Sequence, residues 1–229
     1  VTFTPYTFAQ RSGAWYLARV GRLTSSSAEA MLAKLAKGKG EAKTRAALRS
    51  RLVCERLTGR SEENAYGNAF MAHGDNYEAE ALQRYEAETG EIVKRIGFLA
   101  SDELLAGCSP DGYLGDYETI VEVKCPKATT HLAYIRRTDA PPEYVAQLRH
   151  LLWVSNATAI DFVSYCPWVP EHLSLYIKRV ARRDLDLVDY DIKAREFLAE
   201  VDTEYRSIMS VQDALAESLE LRKEQINAT

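Results

Sequence analysis

Long apolar runs, closely spaced cysteines, repeats and a basic leader are all missing from this 229-residue chain. No stretch approaches the ~20 consecutive apolar residues that a membrane-crossing helix needs. The N-terminus is polar and aromatic, so neither an anchor nor a signal peptide is expected. The four cysteines, Cys54, Cys108, Cys125 and Cys166, nowhere form Cys-x-x-Cys. That spacing argues against a zinc site or an iron–sulfur cluster and for reduced thiols in a soluble, cytoplasmic protein. With no repeat, low-complexity tract or linker, one domain is expected over 1–229: a helical part at 1–90, a sheet core at 91–180 and a helical segment at 184–229. The 46% of apolar residues suffices for a sizeable core.

Positive charge is short overall, at a net −4, but it is unevenly spread. Residues 34–60 hold nine Lys/Arg against two Glu, and residues 184–229 hold twelve Asp/Glu against five Lys/Arg. Such a division lets the basic segment track a phosphate backbone while the acidic one faces solvent or another subunit. A solvated mixed-charge surface is the alternative for both.

What is present is an α/β pattern. Residues 15–85 read as mainly helical, followed by strands at 92–100, 104–108, Gly112–Leu114 and 119–125. Helices at 129–137 and 143–155 precede strands at Ala159–Tyr165 and 173–180, with a hairpin loop at 167–170 carrying Trp168. The expected fold class is α/β, a central mixed β-sheet flanked by helices. Leu185, Val188, Ile192, Val201, Tyr205 and Ile208 keep roughly helical spacing over 184–209. Val211, Leu215 and Leu219 suggest a further helix that docks, meets a neighbouring subunit or frays.

Within the sheet core, Ser109-Pro110-Asp111 is followed by Glu122-Val123-Lys124. Alternation in 119–124 sends Glu122 and Lys124 to one face and Val121 and Val123 to the other. Gly115-Asp116 is a turn signal that would fold both segments into a hairpin and bring the carboxylates together. Two carboxylates suit Mg2+, with the Val123 backbone carbonyl as a further ligand and Asp111 as the bridge between two ions. Lys124 beside such a centre is a candidate to orient or deprotonate a water, its pKa lowered by partial desolvation. The same spacing also fits a turn aspartate followed by an ordinary edge strand.

Ser109-Pro110-Asp111-Gly112 and Glu122-Val123-Lys124-Cys125-Pro126 together resemble the motif of the phage lambda-type exonuclease family, the YqaJ-like viral recombinases, within the restriction-endonuclease-like nuclease superfamily. Further segments match in order over roughly residues 14–180. Gly74-Asp75-Asn76-Tyr77-Glu78 resembles the family helix that brings an acid, here Glu78, to the metals; a solvated glutamate like Glu80 is the alternative. Trp15-Tyr16-Leu17-Ala18-Arg19-Val20-Gly21, with Leu23-Thr24-Ser25-Ser26, resembles the segment that binds the terminal DNA phosphate. Arg19, Thr24 and Ser26 are its candidates, with Ser109 a further DNA contact, and the Thr/Ser run also suits plain N-capping of a helix at 27–35. The helix after Pro141-Pro142 carries Gln147 near the metal-bound phosphate. Where the family often shows Gln-x-Gln, this chain has Gln147-x-Arg149, leaving Arg149 as a phosphate contact or a partner of a surface acid. Met71 matches an apolar wedge that unstacks the DNA end, with core packing as its alternative.

The resemblance implies a restriction-endonuclease-like core and a Mg2+-dependent 5′-to-3′ exonuclease that digests one strand of duplex DNA for recombination. It implies two Mg2+ ions, for which Mn2+ substitutes, and catalytic roles for Asp111, Glu122, Lys124 and Gln147, with Glu78 near the metals. It further implies a preference for 5′-phosphate ends, a homotrimeric ring, a single-strand annealing partner, no membrane, and a phage or prophage gene acting in the bacterial cytoplasm. Cysteine-bound clusters occur elsewhere in the superfamily, and the spacing here argues against that branch. The rivals are an endonuclease of the same superfamily and a catalytically silent DNA-binding or scaffold module.

Overall fold

Gly115 and Tyr117 take positive φ, +60° and +63°, and turn β5 (Gly112–Leu114) back on β6 (Thr119–Lys124) as an antiparallel pair. Beyond β6 the chain crosses through α5 (Ala128–Ile135) and α6 (Val145–Ser155) to β7 (Ala159–Tyr165), which lies parallel to β6. β7 then pairs antiparallel with β8 (Leu175–Ala181) around the loop that carries Trp168. The sheet order is β5-β6-β7-β8, and all seven β7 residues are buried, as a central strand covered on both faces requires.

The computed structural model describes residues 2–35, 40–62 and 69–227, with side chains outside the description at 69–76 and 212–227. The strands divide between two mixed four-stranded sheets rather than one central sheet. The second sheet has the order β1-β3-β4-β2 and comprises β1 (Thr4–Tyr6), β2 (Leu23–Thr24), β3 (Phe98–Ser101) and β4 (Ala106–Cys108). The strand expected at 92–100 starts only at Phe98. Lys94 makes an isolated bridge to Tyr113, and Gly97 lies so close to the N-terminal segment that a Cβ there would sit 2.0 Å from the Phe8 carbonyl.

The N-terminal half contributes α1 (Gly13–Arg19), α2 (Ala28–Leu32), α3 (Lys43–Thr58) and α4 (Ala69–Thr89). Ser12 caps α1 by accepting from the Trp15 N–H at 3.2 Å, and α3 stops at Gly59 in the left-handed conformation. The two C-terminal helical segments expected from the sequence run as one helix, α7 (Leu187–Asn227). Among the described residues no helix is long and apolar enough to cross a membrane.

Strand alternation divides the core. Val121, Val123 and Val163 pack with Leu82 and Tyr85 of α4 on one face of the β5–β8 sheet. Ile120, Ile160 and Phe162 join Leu148, Leu151, Leu152, Tyr190 and Phe197 of α6 and α7 on the other. The opposite charges of the basic and acidic segments meet between α3 and α7. Arg45 bonds Glu200 at 2.7 Å and Arg49 bonds Glu204 at 2.7 Å, both with Glu41 as a shared acid, so α3 and α7 are joined by ion pairs.

Candidate active site

β5 ends its pairing with β6 at Gly112–Val121, so the C-terminal end of β6 has an open edge. Asp111, one residue before β5, occupies that edge: its Oδ2 accepts the Val123 N–H at 2.6 Å. In a strand the N–H and C=O of one residue leave on the same side, so the Val123 carbonyl is directed toward Asp111 as well. Burial, with the charge of Glu122 next and Glu78 contributing, holds the Asp111 carboxyl well above the usual carboxylate range.

Glu122 and Lys124 project toward α6 while Val121 and Val123 enter the α4 side of the core. Glu122 is 2% exposed. Its Oε1 accepts from Lys124 Nζ and, at 2.5 Å, from Gln147 Nε2, whereas its Oε2 is buried with no hydrogen-bond partner. A buried carboxylate oxygen left without a donor is costly, and a cation or a ligand donor would offset that cost. Burial acts to lower the Lys124 pKa, but the charges of Glu122 and Asp111 outweigh it and raise it above the ordinary lysine value. That direction is opposite to the lowering expected from the sequence, because here two facing carboxylates dominate. The Lys124 ammonium also lies 5.2 Å from the Tyr144 ring centroid.

Glu78 approaches from α4. Its Oε1 accepts from Arg95 at 2.7 Å, and its charge acts on both Asp111 and Cys125. The Cys125 thiol is pushed up to about 12 by burial and these acids, and burial with Glu122 also raises Cys108, so both act as protonated packing groups. Among the described residues no three His, Cys, Asp or Glu side chains form a ready-made metal cage. The donor set is instead Asp111, Glu122 and a backbone carbonyl, the oxygen-rich and incomplete set that Mg2+ accepts while retaining water and substrate ligands. The orphaned Glu122 oxygen and the desolvated Asp111 carboxyl fit a divalent cation.

A second cluster adjoins the acids. Ser109, two residues before Asp111, accepts the Trp15 indole N–H at 2.8 Å, and the Arg19 guanidinium lies 4.1 Å from the Trp15 ring centroid. Arg19 is buried and donates to Thr24 Oγ1 at 3.5 Å; Thr24 in turn lies 3.3 Å from the exposed Ser26 hydroxyl. Ser27 Oγ receives Arg51 at 3.0 Å. Arg19, Thr24, Ser26 and Ser109 are therefore brought together.

Arg149 is not among them. Two positions along a helix turn a side chain by roughly 200°, so Gln147 faces Glu122 while Arg149 acts electrostatically on Asp189 and Tyr190 of α7. Its Nε is buried without a partner. The Met71 side chain lies outside the described residues. The sequence assigns no site role to Trp15 or to Gln10, whose Nε2 donates to the carbonyls of Pro110 at 2.9 Å and Ile96 at 3.1 Å. Nor does it mark Tyr144 or Arg95. Only the proximity of Tyr144 to Gln147 along one helix offered a sequence signal.

The YqaJ-like viral recombinase domain family model matches residues 14–158. An alkaline exonuclease, LHK-Exo, from Laribacter hongkongensis is 31% identical, with a TM-score of 0.78 over 89% of this chain and 100% of that one. Its complex with dAMP gives 0.79 at the same identity and coverage. A phage-related exonuclease from Haemophilus somnus 129PT, at 13% identity, shares the fold with a TM-score of 0.59 over 83% of this chain and 96% of that one. Among curated proteins none matches.

Proposed function

The chain belongs to the YqaJ-like viral recombinase domain family, and from that premise we propose that this nuclease is a Mg2+-dependent 5′-to-3′ exonuclease acting on one strand of duplex DNA ends. The observation that carries the reading is the partnerless buried Oε2 of Glu122 beside Asp111, in a centre linked through Ser109 and Trp15 to the Arg19 cluster. Acid chemistry and an anion-gripping guanidinium are thus neighbours.

In this reading Asp111, Glu122 and the Val123 carbonyl, with Glu78, hold two Mg2+ ions, or Mn2+ in their place. Such ions supply phosphoryl polarisation and a more acidic bound water. Asp111 keeps its bond to the Val123 amide and so fixes the loop that carries Ser109. With the carboxylate charges offset, burial, opposed by the nearby Tyr144, would lower Lys124 toward accepting the proton of the attacking water. Gln147 holds the Glu122 carboxylate in place and faces the scissile phosphate. Arg19, Thr24, Ser26 and Ser109 hold the 5′-terminal phosphate, which fixes which bond is cut. Arg149, on the α7 side of α6, serves DNA only along an outer path, and Met71 is assigned the wedge at the duplex end.

LHK-Exo has been crystallised with dAMP, and a deoxynucleoside monophosphate is the product expected here. The assembly proposed is a homotrimeric ring, which retains a threaded duplex. It works with a single-strand annealing protein in the host cytoplasm, from a phage or prophage gene.

Digestion of 5′-phosphorylated linear, 5′-hydroxyl linear and closed circular duplex, with Mg2+ or with EDTA, tests this. Linear DNA is expected to be degraded only with Mg2+, fastest from 5′-phosphate ends, and Arg19→Ala should remove that preference. Cutting of closed circles would establish the endonuclease instead, and intact DNA in every condition the silent module.

A further inference from the structure

Beside the acids lies a groove of about 420 Å3, walled by the segment Thr7–Arg11, by Glu78 and Ala79 of α4, and by Arg95–Gly97. Its walls are fixed to the catalytic loop. Gln10 ties the first wall to Ile96 and to the carbonyl of Pro110, immediately before Asp111, and Gly97 donates to the Tyr6 carbonyl at 2.9 Å. Arg95 reaches into this groove with a side chain 57% exposed, and its guanidinium is bonded to Glu78, one of the acids beside the metal centre. Arg11 lines the same groove.

One carboxylate cannot give the same oxygens both to a divalent cation and to a guanidinium at full strength. We propose that Arg95 is a DNA-backbone contact held in reserve by Glu78: metal binding turns Glu78 away from Arg95 and releases the guanidinium to a strand phosphate in the groove. This rests on the nuclease reading and adds a residue and a coupling to it. Three observations favour a phosphate as the occupant. Two guanidinium-bearing residues line a groove of the size that holds a nucleotide. Glu78, whose charge acts on Asp111, forms part of the groove wall, and Gln10 ties the facing wall to the residue before Asp111. An arginine displaced by a cation is also repelled by it and drawn to the nearest anion, for which its planar fork is suited. The coupling is reciprocal, so Arg95 also weakens the hold of Glu78 on metal until DNA arrives.

The test is binding of a fluorescent 5′-phosphorylated duplex, measured against salt in EDTA and in Ca2+, whose irregular coordination lacks the ordered octahedron of Mg2+. Intact DNA is verified at the end of each titration. Arg95→Ala should weaken binding about tenfold in Ca2+, with a salt slope shallower by about one phosphate contact, and match the parent in EDTA. Glu78→Gln should bind tightly in EDTA without needing Ca2+, and adding Arg95→Ala to it should abolish that gain. Equal losses for Arg95→Ala in Ca2+ and EDTA, or none in either, would overturn the role of Arg95 while a parent that binds and digests DNA keeps the nuclease reading. A parent that neither binds nor digests DNA overturns both.

Discussion

Asp111 and Glu122 illustrate how a site can be built against its own stability. Both carboxylates are desolvated, each faces the other, and one oxygen of Glu122 is left with no donor. Replacing Asp111 with Asn keeps an oxygen for the Val123 amide but removes one of the two opposed charges. The expected outcome is a fall in Mg2+-dependent hydrolysis of roughly a thousandfold or more, with DNA binding retained and a thermal midpoint equal to or above that of the parent. Near-normal turnover, or a clearly lower midpoint, would remove Asp111 from this role. His150 makes a different single-residue statement. Burial lowers it to about 4 from 6.5, while its ring nitrogens lie 2.7 Å from the Tyr190 hydroxyl and 3.0 Å from the Gly107 carbonyl. Between those two values the unfolded chain binds a proton that the folded one refuses, so this contribution is full above about pH 6.5 and is lost as pH falls toward 4. Comparing urea unfolding of the parent and His150→Gln, the parent should lose ~3 kcal/mol more over that window. Parallel pH profiles would show that His150 is not the group responsible.

At the scale of elements, α4 is pinned to the sheet by two phenols. Tyr85 donates to Asp161 at 2.5 Å, where Arg179 also makes a bidentate pair, and Tyr165 donates to Glu80 at 2.5 Å. Since α4 carries Glu78, these bonds set where that carboxylate stands. Tyr85→Phe leaves Asp161 partnered by Arg179, so the expected loss of stability is only about 1.5 kcal/mol, together with a several-fold rise in the Mg2+ concentration needed for half-maximal activity. A destabilised variant with an unchanged Mg2+ requirement would confine Tyr85 to a structural role. What the sequence disclosed follows the same divide between local and distant causes. The β5–β6 hairpin, the faces of Glu122 and Lys124, and β7 could be read because Gly115 and residue alternation act over a few positions. β1 and β2, three and two residues long, have no periodicity to detect and exist through pairing with β3 and β4. Glu78–Arg95 and Trp15–Ser109 join residues 17 and 94 positions apart, and no spacing rule announces them. Motif resemblance supplied Arg19 and singled out Glu78, for which helical spacing with the buried Leu82 and Tyr85 indicates only an inward-facing stripe.

Across the whole molecule, net charge along the sequence is a poor guide to where free charge lies in space. The basic stretch at 34–60 invites a path for DNA, yet Arg45 and Arg49 bond Glu41, Glu200 and Glu204, Arg51 bonds Glu55 and Ser27, and Arg56 donates to the Gly21 carbonyl. Arg45 also lies 5.0 Å from the Phe197 ring centroid, so its side chain seals the join between α3 and α7. Glu200 and Glu204 are more than a third exposed, which limits each of their ion pairs to about 1 kcal/mol or less, but the network repeats along two helices. The double variant Arg45→Ala/Arg49→Ala should therefore unfold at lower urea concentration, with a combined loss of about 2 kcal/mol, and the loss should shrink in high salt. Its DNA affinity, measured in Ca2+ across a salt series, should keep the parent's slope, because these guanidinium groups are already committed within the chain. A slope shallower by about one unit per arginine removed would instead mean that DNA competes successfully with Glu200 and Glu204 for α3, and that the acidic helix serves as a displaceable cover over a basic track.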